Sequence, residues 1–235
     1  MKVIDLTIEL HDGFQSHPSH ARTVVMNYVT HAFSAPRYEP PCRGFASKLL
    51  VLSDHAGTHV DAPFHFYADG ETVEATPPEQ LVGPAVVIDA ADAVGEEGVT
   101  DVLLQRLTEQ QRVEVRAGDI VLVRTWKGPW GGDGFHDAKG LALSGARWLI
   151  AKGAKVLGTD ISILERDNHD MGRPVHLLVL GERIPIIENL TNLDRIGARR
   201  FFFIGLPLKI RGATGSPIRA VAITDFPPSS LEACP

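Results

Sequence analysis

Gly57 and Pro63 interrupt the stretch SDHAGTHVDAPFHF, residues 53–66, in which His55, His59, Asp61 and His65 fall within eleven positions. Proline lacks the amide proton that a helix interior needs, and glycine readily leaves helical geometry. One helix therefore cannot present all four side chains. The run before them, residues 48–53, is apolar and reads as a strand, so the four residues are expected on a tight loop leaving its end.

Comparable runs recur at residues 3–10, 85–90, 119–125, 155–158, 184–188, 200–210 and 218–224, and each reads as a strand. Two helices are predicted between them, over 100–108 and 144–152, the second with Ser144 as N-cap and Gly153 just past its end. The class is α/β, strand-rich with few helices. No repeat and no low-complexity linker divides the 235 residues, so one domain spanning 1–235 is expected. The long connections at 9–49 and 127–143 are expected to act as binding loops or cleft walls; the glycines of KGPWGGDGFHDAKG match neither dinucleotide nor P-loop spacing.

A net charge of -6, with basic residues scattered singly, leaves no footprint for a nucleic-acid backbone. The opening MKVIDLTIEL alternates like a strand and not like a signal peptide, and no apolar run reaches the roughly 18 residues of a membrane span. Cys42 and Cys234 form no CxxC or disulfide framework, which fits a reducing cytoplasm, and neither is expected to do chemistry. His17, His20, His31, His136 and His169 are expected to be solvated.

Imidazole nitrogen and carboxylate oxygen are the ligand types that bind zinc at about 2.0 to 2.2 Å, and catalytic sites use three protein ligands with a position left for water. His55, His59 and Asp61 supply that set. Downstream, Glu188 ends an apolar run, and a carboxylate there is costly to bury unless a cation meets it. With Asp61 it would bridge two divalent ions, leaving His65 free for proton transfer.

The motif HAGTHVDAPFHF, followed far downstream by VHLLVLGERIPIIENL and supported by GTDISI and LPLKIRGATGSPIRAVAI, resembles the cyclase family of metal-dependent hydrolases, which includes bacterial kynurenine formamidases and isatin hydrolases. The resemblance covers most of the chain. It implies a swivelling β/β/α domain assembled as a homodimer or homotetramer. It implies metal ligands at His55, His59, Asp61, His176 and Glu188, with Asp61 shared, and His65 as proton shuttle. The cofactor it implies is a divalent metal, either zinc, one or two ions, or manganese. The activity it implies is cleavage of a C–N bond in an aryl formamide, amide or cyclic amide by metal-activated water. The early loop HDGFQSHPSH lacks the Trp that stacks on substrate in kynurenine formamidases, and Phe14 is expected to line the substrate pocket in its place. Two other readings stay open: a non-catalytic, metal-stabilised small-ligand-binding domain, and a cyclase or dehydratase using the same site.

Overall fold

The computed structural model describes residues 1–225. Four strands form its parallel centre: β5 (Val82–Asp89), β6 (Ile120–Arg124), β7 (Val156–Thr159) and β8 (Ile186–Glu188). Their near-continuous apolar sequences follow from burial on both faces, the usual condition of parallel strands. Antiparallel strands extend the sheet on either side. On one flank lie β9 (Phe201–Ile204), β11 (Val221–Thr224) and β1 (Lys2–Asp5); on the other lie β4 (His59–Asp61) and β10 (Gly215–Pro217). The spatial order is β1-β11-β9-β5-β6-β7-β8-β4-β10.

Alternation along β6 divides the core in two. Val121 and Val123 point to the face covered by α2 (Asp101–Gln111), α3 (Leu143–Ala151) and α4 (Pro174–Gly181), where they join Leu104, Leu149 and Val179. Ile120 and Leu122 point the other way, towards Leu6, Ile187, Phe201 and Phe203. Side chains two apart in a strand share a face, so one short apolar strand serves both layers.

The strand-rich α/β architecture expected from sequence is the one found, with differences that have physical causes. The predicted strands at 200–210 and 218–224 are shorter than expected, because ladder pairing covers only Phe201–Ile204 and Val221–Thr224. The helix at 100–108 is present and longer, with the Thr100 hydroxyl accepting the Leu103 amide. Ser144 is not an N-cap: α3 starts a residue earlier, after Ala142, and the Ser144 hydroxyl accepts the amide of Asp101 instead. The long connection at 9–49 contains a strand and a short helix, β2 (Val24–Val29) and α1 (His31–Ser34); among the described residues β2 pairs only with β3 (Ser47–Val51). α4 was not expected. Its sequence, PVHLLVLG, is apolar all round, and periodicity cannot tell such a short buried helix from a strand. No helix among the described residues is long and apolar enough to cross a membrane. Cys42 is free and exposed, and Cys234 lies outside the described residues.

Candidate metal centre

The four motif residues do not share one loop. His55 sits in the turn after β3, whereas His59 and Asp61 are the first and last residues of β4, and His65 ends a 3-10 turn, Pro63–His65. Gly57 makes the turn possible: its φ is +68°, and a Cβ there would lie 2.7 Å from the Leu10 side chain. Because His59 and Asp61 are two apart in a strand, both face the same way. Antiparallel register then sets His59 directly opposite Glu188 on β8 and Asp61 opposite Gly215 on β10. Gly215 is equally constrained, since a Cβ would come within 2.7 Å of the His55 ring.

Two overlapping ligand sets result, His55–His59–Asp61 and Asp61–His176–Glu188, in each of which the ligand atoms all lie within 4.8 Å of one another. Asp61 belongs to both. His55 Nδ1 is 2.6 Å from Asp61 Oδ1, His59 Nε2 is 3.3 Å from the same oxygen, and His176 Nε2 is 3.2 Å from Glu188 Oε1. Every one of these side chains is buried.

Each histidine has its other nitrogen engaged from outside the cluster. The Gly57 carbonyl accepts from His59 Nδ1 at 2.8 Å, and Glu165 Oε1 lies 3.1 Å from His176 Nδ1. The Thr214 hydroxyl donates to Asp54 Oδ2, so its oxygen is left to accept from His55 Nε2 at 2.7 Å. With those nitrogens committed outward, Nδ1 of His55 and Nε2 of His59 and His176 are the atoms that would present a lone pair to an ion once they shed their protons. At the centre, Asp61 Oδ2 is buried with no hydrogen-bond partner. An unpaired carboxylate oxygen surrounded by inward-facing nitrogens is the arrangement a divalent cation completes.

Protons would balance the charge of the cluster whenever no ion is bound. Burial opposes a charged His59 ring, but Asp61 and Glu188 outweigh it and hold its pKa up at about 9. Burial is likewise overcome at His176 by hydrogen bonds to Glu165 and Glu188, which hold its pKa at about 10. Burial favours a neutral Asp61, yet His55 and His59 keep it well below the usual carboxylate range. Ligand nitrogens must shed those protons, so ion binding at pH 7 is expected to release protons and to weaken as pH falls. Calorimetric titration with metal in buffers of different ionisation heat checks this, and a buffer-independent heat contradicts it.

His65 packs against His55 in a tilted arrangement, ring centroids 4.0 Å apart, and lines a cleft of about 200 Å³. Burial dominates its environment and lowers its pKa to about 4, leaving a neutral ring at pH 7 that can accept a proton. Phe14 does not reach this cleft. It is buried and stacks on Trp130, ring centroids 4.9 Å apart, so it supports the wall and does not line the pocket as expected. The 127–143 connection does form cleft wall, but of a neighbouring cleft of about 280 Å³ between Trp126, Trp130 and residues 190–194. The Trp130 indole donates to Asn189, whose amide nitrogen donates to the Gly57 carbonyl, so this wall also braces the turn carrying His59.

Three further features were not legible in the sequence. Glu165 is buried and accepts the amides of Val175 and His176, which caps α4 and seats His176 at once. The Asp54–Thr214 pair holds His55. His17, His20 and Arg173 line the cleft, and the His136 ring packs against His17; of the five histidines expected in solvent, only His31 and His169 are exposed. No ligand-type spacing links these residues to the motif.

A strand-rich α/β scaffold here buries a His/Asp/Glu cluster able to hold a metal ion beneath a small cleft. The cyclase family model matches residues 4–166, and the chain belongs to that family. It is 31% identical over 201 residues to the isatin hydrolase of Roseibium aggregatum, covering 76% of this chain and 75% of that one. It is 30% identical over 173 residues to the kynurenine formamidase of Erythrobacter litoralis, covering 73% and 74%. The solved structure of isatin hydrolase A from Labrenzia aggregata, bound to benzyl benzoate, superposes with a TM-score of 0.80 at 26% identity, covering 95% of this chain and 94% of that one.

Proposed function

We propose that the chain hydrolyses the C–N bond of an aryl formamide, amide or cyclic amide, with His55, His59, Asp61, His176 and Glu188 as ligands to zinc or manganese. The observation that carries this reading is the buried, partnerless Asp61 Oδ2 among three inward-facing imidazoles. A divalent ion held there would supply Lewis acidity and would lower the pKa of water, to about 7 in the case of zinc. The remaining work falls to the protein. Asp54–Thr214, Gly57 and Glu165 fix the ligand rings, so little reorganisation is needed during reaction. Neutral His65, beside His55 and open to the cleft, accepts the proton lost by the attacking water and returns it to the leaving nitrogen.

The experiment is turnover of aryl formamides and isatin-like lactams by metal-loaded protein. His65→Ala is expected to lower kcat by roughly 10²- to 10⁴-fold with metal content retained. Unchanged kcat in that variant removes His65 from proton transfer. Ions that are needed only for folding, with no substrate of either kind consumed, would favour the ligand-binding reading.

The same reading includes one domain in the cytoplasm and self-association through the β2–β3 arm. Met26, Tyr28, Leu49, Leu50 and Val51 are exposed on this two-stranded sheet, with Phe33 beside it on α1. Isolated two-stranded sheets are marginally stable and large exposed apolar patches are rare on monomers, so a second copy of the chain is the occupant that fits. Sedimentation is expected to give a dimer or tetramer, and Leu50→Glu to shift it towards monomer; an unshifted assembly contradicts this interface.

A further inference from the structure

We propose that Arg173 is an anion-recognition residue at the mouth of the metal-site cleft, and that the substrate is an amide or formamide carrying a carboxylate near the bond to be cleaved. This deepens, and rests on, the hydrolase reading above. Arg173 immediately precedes α4, in a left-handed conformation with φ +46° that a non-glycine residue adopts at a cost. One guanidinium nitrogen donates to the Asn168 carbonyl at 2.9 Å, and among the described residues no carboxylate pairs with it. Elsewhere Arg124, Arg200 and Arg219 each pair with an aspartate. A guanidinium offers five donors in a planar fork shaped for a carboxylate, and a half-buried one without such a partner is an unfilled anion site.

The surroundings fit the same ligand. Arg173 shares the cleft with His17 and His20, and the rings run in file towards the ligand cluster: His17 lies 5.8 Å from His20, and His20 lies 5.7 Å from His55. His20 Nδ1 is buried and has no hydrogen-bond partner. Glu188 is the only carboxylate among the lining residues, and it is engaged by His176 and the Leu164 amide. The lip is therefore positive or neutral throughout. At about 200 Å³ the cleft has room for a single substituted ring, and its lining includes both Arg173 and residues of the ligand cluster. A charge-assisted, bidentate contact of this kind both orients and selects, and a substrate lacking the carboxylate leaves Arg173 unpaired.

The test compares metal-loaded wild type, Arg173→Gln and Arg173→Lys on N-formylanthranilate and neutral formanilide. Wild type is expected to favour the carboxylate-bearing formamide in kcat/KM, and Arg173→Gln to cut that ratio by about 10- to 100-fold. Arg173→Lys, which keeps a cation, is expected to fall between the two. A preference of wild type for formanilide, equal losses on both substrates in Arg173→Gln, or a Lys variant no better than Gln overturns the inference. Should neither formamide nor an isatin-like lactam be consumed, the hydrolase reading is the part that fails. Calorimetric titration of the metal-loaded proteins with anthranilate then decides the inference alone: binding at least about tenfold weaker in Arg173→Gln sustains it, and equal binding overturns it, because the carboxylate is then held elsewhere.

Discussion

Asp61→Asn is expected to lose tight metal binding and to lower turnover by about 10³-fold or more. Asp61 is the one residue in both ligand sets, and its oxygens face His55, His59 and His176 at 2.6, 3.3 and 3.7 Å. Asparagine keeps the shape but replaces one oxygen with an amide nitrogen that donates and cannot ligate. It also removes the negative charge that holds protons on the neighbouring rings. A Lewis-acid contribution of several kcal/mol corresponds to a rate loss of that size, since each 1.36 kcal/mol is tenfold. Metal content after dialysis and kcat measured on the same preparation check both halves. Full occupancy with full activity would place the ion, and the chemistry, elsewhere.

Glu165→Ala is expected to produce the second largest effect, and to do so without touching a ligand position. The Glu165 carboxylate accepts the Val175 and His176 amides at the start of α4 and lies 3.1 Å from His176 Nδ1. Its removal leaves buried donors unsatisfied, which costs about 1 to 3 kcal/mol each way the helix cannot relax. It also frees the His176 ring to rotate, and loss of such an outer partner lowers metal affinity by roughly 10- to 100-fold. Thermal melts with and without metal separate the two contributions. A variant that melts earlier but binds metal as wild type does would make Glu165 a helix cap only.

The contrast between these two residues shows what a single sequence can reveal. Asp61, His55 and His59 were legible because a turn compresses them into seven positions, and local spacing survives folding. Glu188 was legible through energetics, as a carboxylate ending an apolar run. The strand carrying His59 and Asp61 was not, because three residues paired on both sides leave no periodic pattern of their own. Glu165, Thr214 and Arg173 reach the site through the β8–β4–β10 register and the start of α4, which are long-range consequences of packing. Phe14 shows the opposite failure: an aromatic in a binding loop read as pocket lining became core, because Trp130 offered it a stacking partner across 116 positions that no local pattern records.

The relatives named isatin hydrolase and kynurenine formamidase differ in the substrate their names give, so the residues around the cluster are where this chain's own specificity is expected to be written. The cleft lip includes His17, Ser19 and His20 of the early loop and Arg173, and connecting segments as a class vary more freely than sheet strands. Substrate choice is thus expected to follow the lip, and metal affinity the sheet register beneath it.

The measurement that bears most directly on the central claim is anomalous diffraction from crystals grown with zinc or manganese, supported by elemental analysis of the same protein. Strong anomalous density within ligand distance of Asp61, bounded by His55 and His59, by His176 and Glu188, or by both pairs, is the predicted result. Density confined to surface carboxylates, with none among the five buried side chains, would contradict it.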